Sequence, residues 1–171
     1  RTRPRSSRPP TPGIGFGAGI ERLLIAIDPG VNGAVVWSFE GRLHVVKMPP
    51  SALDITDLLR LFALKSTFVE LHLEYPSKGG WGKVSSDTIG KLYEQIGGMR
   101  YCGLMLGWKV NLIDPKTWQA AIGMKRQKGE EKTPWKNRLK DMAGELFPDN
   151  SVTLATADAL LIYHAAARGL I

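Results

Sequence analysis

The 171 residues are enough for one globular domain with a full core and short for two. A hydrophobic share of 43% and a mean hydropathy of −0.12 are those of a water-soluble chain, and no apolar stretch approaches the roughly 20 residues of a membrane-spanning helix. The net charge of +7 and pI ≈ 9.7 point to a polyanionic partner such as nucleic acid, while the single cysteine, Cys102, excludes an internal disulfide and a cysteine zinc cluster and suits a reducing compartment.

Residues 1–20 carry four arginines, no acid, and abundant Pro, Ser and Gly. Such a segment has nothing to bury and is predicted to be disordered. Its Arg-rich, Ser-rich, acid-free composition resembles an organelle transit peptide. A DNA-tethering arm or an artificial addition are the alternatives. The folded domain is expected over residues 21–171.

From Leu23 the pattern sharpens. Leu23–Ile27 reads as a buried strand, the turn residues Pro29, Gly30, Asn32 and Gly33 follow, and Ala34–Phe39 reads as a second strand. Gly41 turns the chain into a third, Leu43–Lys47, completing an antiparallel meander. Ser51 with Asp54 forms the capping box of a helix to about Leu64. Phe68–Leu73 is a fourth strand ending at Glu74. After the glycine-rich loop YPSKGGWGKV a helix spans about Ser86–Leu106, and Trp108–Ile113 is a fifth strand stopped by Asp114-Pro115. A short helix covers Lys116–Ala121, and MKRQKGEEK is a polar loop. Thr133-Pro134 opens the next helix with a threonine cap and proline at the first position. Phe147-Pro148 ends it, and a last helix covers Leu154–Arg168 before Gly169. The expected fold class is α/β, a mixed five-stranded sheet with helices packed on both faces.

Three acids stand at unusual places in this order: Asp28 closes the first strand, Glu74 closes the fourth, and Asp158 lies in the apolar helix ATADALLIYHAA. If the first and fourth strands are parallel neighbours, Asp28 and Glu74 end on one edge of the sheet, and Asp158 completes the cluster. Taken singly, a turn cap, a strand-end charge or a lysine pair explains each of them. Three carboxylates in apolar flanks persist together when a cation neutralises them, and hard oxygen ligands favour Mg²⁺ or Mn²⁺. The glycines Gly30 and Gly33 suit either the turn that exposes a metal-binding Asp28 or a phosphate loop.

The series AIDPGVNGAVV, LEYP after an apolar strand, and TADALL in the last helix resembles the RuvC-type Holliday-junction resolvases, nearest to the compact branch that includes phage proteins and the chloroplast resolvase of plants and algae. The resemblance runs from about Leu23 to Gly169. It implies an RNase H-like fold, a homodimer, and Mg²⁺-dependent paired nicking of four-way DNA junctions, with two ions per site and Mn²⁺ as a substitute. Asp28, Glu74 and Asp158 match the first two and the last of the family's metal-binding acids. The segments PKTWQAAIG and TPWKNRL place a catalytic lysine at Lys136. Two positions depart from the pattern. The acid expected three residues before Asp158 is Ala155, and an earlier lysine falls on Gln119. No membrane or small-molecule cofactor is expected. The tail alone implies a plastid or other organelle nucleoid, with the cytoplasm of a bacterial or phage-infected cell as the alternative.

Lys116, Lys125, Arg126, Lys128, Lys132, Lys136, Arg138 and Lys140 crowd one region, softened by Glu130 and Glu131, and form the expected phosphate-binding surface. Trp81, flanked by Lys78 and Lys83, is the second DNA-contact candidate, because stacking on a base is worth roughly 1–3 kcal/mol. Met48 and Trp118 read as packing residues, His164 as a core or surface histidine. The apolar positions Ile89, Leu92, Tyr93 and Ile96, with Gly97-Gly98, mark the helix that contains them as a dimer interface. Two rival functions remain. An actin-like or sugar-kinase-like ATPase also opens on an aspartate and a glycine turn, but it needs a second such domain and a second phosphate loop, which these residues lack. A non-catalytic junction-binding protein is supported by Ala155.

Overall fold

The computed structural model describes residues 22–76 and 84–171. The expected disordered tail, and the candidate contacts Lys78, Trp81 and Lys83, lie outside the described residues. The elements run β1 (Leu23–Asp28), β2 (Ala34–Phe39), β3 (Arg42–Lys47), α1 (Ala52–Lys65), β4 (Val69–Glu74), α2 (Ser86–Met105), β5 (Lys109–Ile113), α3 (Pro115–Ala121), α4 (Lys132–Leu146) and α5 (Ala157–Ala167). The sheet order is β3-β2-β1-β4-β5. β1, β2 and β3 form the antiparallel meander, while β4 pairs in parallel with both β1 and β5. The fold is thus α/β with a mixed five-stranded sheet, as the order of elements predicts.

Side-chain alternation divides the interior into two layers. Ile25, Ile27, Leu71 and Leu73 point to one face, where Leu59 and Phe62 of α1 and Ile96 and Met99 of α2 cover them. Ala26, Ala34 and Val36 point to the other, beneath Trp118 of α3, Trp135 and Leu139 of α4, and most of α5. α5 is buried on nearly all sides, which explains why its sequence is apolar all round. Phe62 has no exposed surface, and its truncation to Ala is expected to cost about 3–5 kcal/mol.

The local signals behave as their chemistry demands at several ends. Ser51 Oγ accepts from Asp54 N at 3.2 Å and donates to its carboxylate at 2.6 Å. Asp114 Oδ1 caps α3 by accepting from Lys116 N at 2.8 Å, with Pro115 in the first turn. Two ends differ from expectation. α4 begins at Lys132, with Glu131 rather than Thr133 as its cap and no side-chain capping bond. α5 begins at Ala157 rather than Leu154, because the Thr153 and Thr156 side chains bond to each other's backbone N–H groups, at 2.9 and 3.3 Å, and hold residues 154–156 in a turn.

The α2 positions expected at a dimer interface are in part core residues. Ile96 is buried and Leu92 and Tyr93 pack on the protein's own core, since that is the helix face turned to the sheet. The exposed apolar side chains of α2 are Tyr101, Leu104 and Met105, near its C-terminal end. Among the described residues no helix is long and apolar enough to cross a membrane.

Candidate active site

Asp28 is the last residue of β1, and the turn after it is built around two glycines. Gly33 N donates to Gly30 O at 2.9 Å, closing the turn. A Cβ on Gly33 would stand 1.9 Å from the carbonyl oxygen of Asp28, so only glycine lets the chain fold back this tightly. Gly30 has φ +100°, in the left-handed region, and its N–H donates at 2.8 Å to Gln95 Oε1 of α2. The turn behind Asp28 is therefore fastened from a helix 65 residues away in sequence.

Parallel pairing sets Ile27 beside Leu73, so the ends of β1 and β4 lie together and bring Glu74 to the edge that Asp28 occupies. Glu74 is 9% exposed, and Trp118 Nε1 of α3 donates to its Oε2 at 2.7 Å. Asp158, 3% exposed in the first turn of α5, is in contact with the Lys136 ammonium through Oδ2. Its Oδ1 is buried and has no hydrogen-bond partner.

The three acids share one electrostatic environment. Burial first, then the charges of Glu74 and Asp158, raise the Asp28 carboxyl well above its usual range, with Lys136 opposing. Burial and Asp158 push Glu74 up to about 7, although the Trp118 hydrogen bond and Lys136 pull it down. Burial alone would lower the Lys136 ammonium, yet the three carboxylates hold its pKa above the ordinary lysine value. Lys136 is thus the charged group that already answers part of the site's negative charge.

These residues fit a hard cation in donor chemistry. All three offer carboxylate oxygens, two of them resist ionisation without further positive charge, and Asp158 Oδ1 lacks a partner. As the side chains stand, no three His, Cys, Asp or Glu among the described residues form a group arranged around one metal position. Ala155, half-buried in the turn before α5, brings no fourth carboxylate.

A cleft of about 1020 Å³ opens from the Asp28–Gly33 turn and runs between α1 and α2, with Lys132 and Lys136 of α4 on its opposite wall. Lys116, Lys125 and Arg126 are exposed and outside that lining, the last two in the loop before α4. Of the residues read as packing, Met48 is a core residue, and Trp118 is fully buried but also supplies the bond to Glu74. His164 is half-buried against the Phe147 ring, 6.2 Å between centroids.

A second buried polar group escapes the sequence reading. Glu70 and His72 lie on β4 four and two residues before Glu74, on the same face, and are 4% and 1% exposed. Glu70 Oε1 is 3.0 Å from His72 Nε2, Lys109 Nζ and Asn111 Nδ2, and Arg22 pairs with its other oxygen. The available signal was the alternation VELHLE in a strand flanked on both sides. It looks like a solvent-facing polar edge, yet every one of its residues is buried.

Two structures of Thermus thermophilus RuvC match this fold. One, described as RuvC in complex with Holliday junction substrate, has 17% identity, covers 87% of this chain and 96% of that chain, and gives a TM-score of 0.49. The other, the Thermus thermophilus RuvC structure, has 17% identity, 86% and 96% coverage, and a TM-score of 0.51. The fold is RNase H-like and similar to that of RuvC. No protein-family profile matches the chain. No curated protein matches it either.

Proposed function

We propose that this protein is a structure-selective endonuclease of the compact RuvC-type branch that resolves four-way DNA junctions by paired phosphodiester hydrolysis. The observation that carries the reading is the set of three carboxylates, half-buried Asp28 and buried Glu74 at the ends of β1 and β4 and buried Asp158 on α5, with Lys136 beside them and a cleft lined by Asp28 and Lys136. The motifs around these acids, in the same order as in RuvC-type resolvases, support the substrate class. The net charge of +7 and the lysines on the cleft wall suit a phosphate backbone.

Asp28, Glu74 and Asp158 would hold Mg²⁺, with Mn²⁺ as a substitute. Bound there, two such ions would supply an activated water and charge stabilisation at the leaving 3′ oxygen. The chain's own residues do the rest. The Gly30–Gly33 turn keeps the Asp28 carboxylate at the mouth of the cleft, and Trp118 fixes the orientation of Glu74. Lys136 hands its charge from Asp158 to the scissile phosphate as negative charge builds there. The products are a 5′-phosphate and a 3′-hydroxyl. Symmetric cutting of two strands asks for two sites, and hence a homodimer, for which Tyr101, Leu104 and Met105 of α2 offer exposed apolar surface.

The test is incubation of the protein with a synthetic four-way junction and with its linear duplex arms, with Mg²⁺ or with chelator. Symmetric nicks in the junction alone, ligatable and dependent on Mg²⁺, are expected. Equal cutting of the duplex, or junction binding without cutting, would defeat the reading.

A further inference from the structure

The loop before α4 contains an acid where electrostatics alone would place none. Residues 124–132 include Lys125, Arg126, Lys128 and Lys132, and Glu130 stands among them, followed by the exposed Glu131. A carboxylate there reduces the attraction of the whole surface for a polyanion. Its contacts, however, are those of a built structural centre. Glu130 Oε2 accepts the Gln127 amide N–H at 2.8 Å. Arg138 Nη1, from α4, donates to Oε1 at 3.0 Å and to Oε2 at 3.1 Å. The Glu130 carbonyl accepts two more bonds, from Arg126 Nε at 3.0 Å and Nη2 at 2.6 Å. Glu130 N in turn donates to Gln127 O at 3.1 Å, and Gly129 holds φ +81° at the third position of that turn, where a side chain would be strained.

The partners of Glu130 are themselves fixed. The Arg138 guanidinium lies over the Trp135 ring at 5.2 Å, and Trp135 is 5% exposed in the core beneath α5. An ordinary surface ion pair contributes little because both long side chains remain mobile. Here the Glu130 side chain is only 10% exposed, and its arginine is stacked on a buried indole. The loop is thereby tied to the helix that carries Lys136. What it leaves outward are Lys125 and Lys128, with Lys132 turned to the cleft beside Lys136. Arg126 spends two of its five N–H donors on the carbonyl and keeps the others free to meet a phosphate.

We propose that Glu130 is a positioning residue for branched-DNA recognition: it pre-orders the Lys125–Lys128 loop against α4 so that its cations and Lys136 meet a junction backbone in one fixed arrangement. The proposal rests on the junction-resolving function proposed above. Pre-ordering removes the entropy that a mobile lysine loop would lose on binding, and it favours a branched backbone of defined shape over a straight one.

Charge and order predict opposite results, which makes the test sharp. Glu130→Leu and Glu130→Gln each raise the net charge by one unit above +7. Only the glutamine keeps an oxygen able to accept the Gln127 amide. Binding of a four-way junction and of a linear duplex is measured by anisotropy at fixed salt, and amide exchange at Gln127 is measured on the DNA-free protein. Thermal unfolding checks that both variants are folded.

Glu130→Leu is expected to lose protection at Gln127 and to bind the junction about tenfold more weakly, with duplex affinity no weaker than wild type. Glu130→Gln is expected to retain protection and to lose less junction affinity. If Glu130→Leu binds both DNAs more tightly, or leaves Gln127 exchange unchanged, the acid only dilutes the patch and the proposal is overturned. Should the wild-type protein fail to prefer the junction over the duplex, it is the functional reading that falls, and the Gln127 exchange still decides whether Glu130 orders the loop.

Discussion

The indole N–H of Trp118 donates at 2.7 Å to Glu74 Oε2, joining a fully buried residue of α3 to the acid at the end of β4. A strand-end glutamate has several side-chain rotamers, and this single bond selects one of them. It also favours the ionised carboxylate, against the burial that pushes the group up to about 7. Trp118→Phe keeps an aromatic ring at the position, with some loss of volume, and removes the donor. Junction cleavage should then slow by about tenfold and need more Mg²⁺, while junction affinity stays as in wild type. Unchanged single-turnover rates would reduce Trp118 to a packing residue.

That bond also marks where sequence stops being legible. The residue type says that Trp118 is buried, and nothing in PKTWQAAIG says that its ring nitrogen faces an acid 44 positions earlier. Asp28 and Asp158 were readable because a charge in an apolar run is a local anomaly, visible without knowing its neighbours. Glu74 was readable as the end of a strand. Glu70 and His72 sit in the same strand, but alternation of polar and apolar residues has an ordinary explanation in a half-exposed strand. Only the fold shows that β4 lies inside the sheet between β1 and β5 and that these side chains are buried. The start of α5 shifted because its boundary depends on the hydrogen bonds between Thr153 and Thr156, and not on the apolar period of the helix.

Asp28→Asn separates function from stability. The substitution keeps the shape of the side chain and removes a carboxyl that burial, Glu74 and Asp158 all disfavour as an anion. For an acid whose folded pKa is raised, the folded state binds the proton more tightly, so stability is lost as pH rises from the unfolded value through the folded one. The metal-free variant should therefore unfold at a higher temperature than wild type, with a difference that grows as pH rises above the ordinary carboxylate range. A domain of this size shifts by about 2–4 °C per kcal/mol. Mg²⁺-dependent nicking should vanish while junction binding is kept. Nicking retained by Asp28→Asn would remove Asp28 from the chemistry.

Glu70 carries the opposite sign. Burial is the largest single influence and would raise its carboxyl, but Lys109, Arg22 and His72 together hold it at about 2. A depressed folded pKa contributes stability that is complete above the unfolded value near 4.5 and is lost as pH falls toward 2. Wild-type protein should lose unfolding free energy across this window. Glu70→Gln should be less stable at pH 7 and show a flatter acid limb. Parallel acid limbs in the two proteins would show that this cluster does not govern acid unfolding.

Ala155 tests the acid set directly. It lies three residues before Asp158 in the turn that leads into α5, next to Leu154 on the cleft wall. The resemblance to the bacterial RuvC-type pattern implies an acid at the matching position, and this chain has a methyl group there. Adding a carboxylate raises the negative charge available to a divalent ion, and ligand charge is one of the factors that set affinity for such ions. It also adds repulsion to a site whose acids already resist ionisation, so the metal-free Ala155→Asp protein should be less stable than wild type. With Mg²⁺ present the added ligand should outweigh that repulsion, and the concentration giving half-maximal junction cleavage should fall by about tenfold. Loss of metal-free stability with no change in the Mg²⁺ dependence would place residue 155 outside the metal site, and leave Asp28, Glu74 and Asp158 as its working acids.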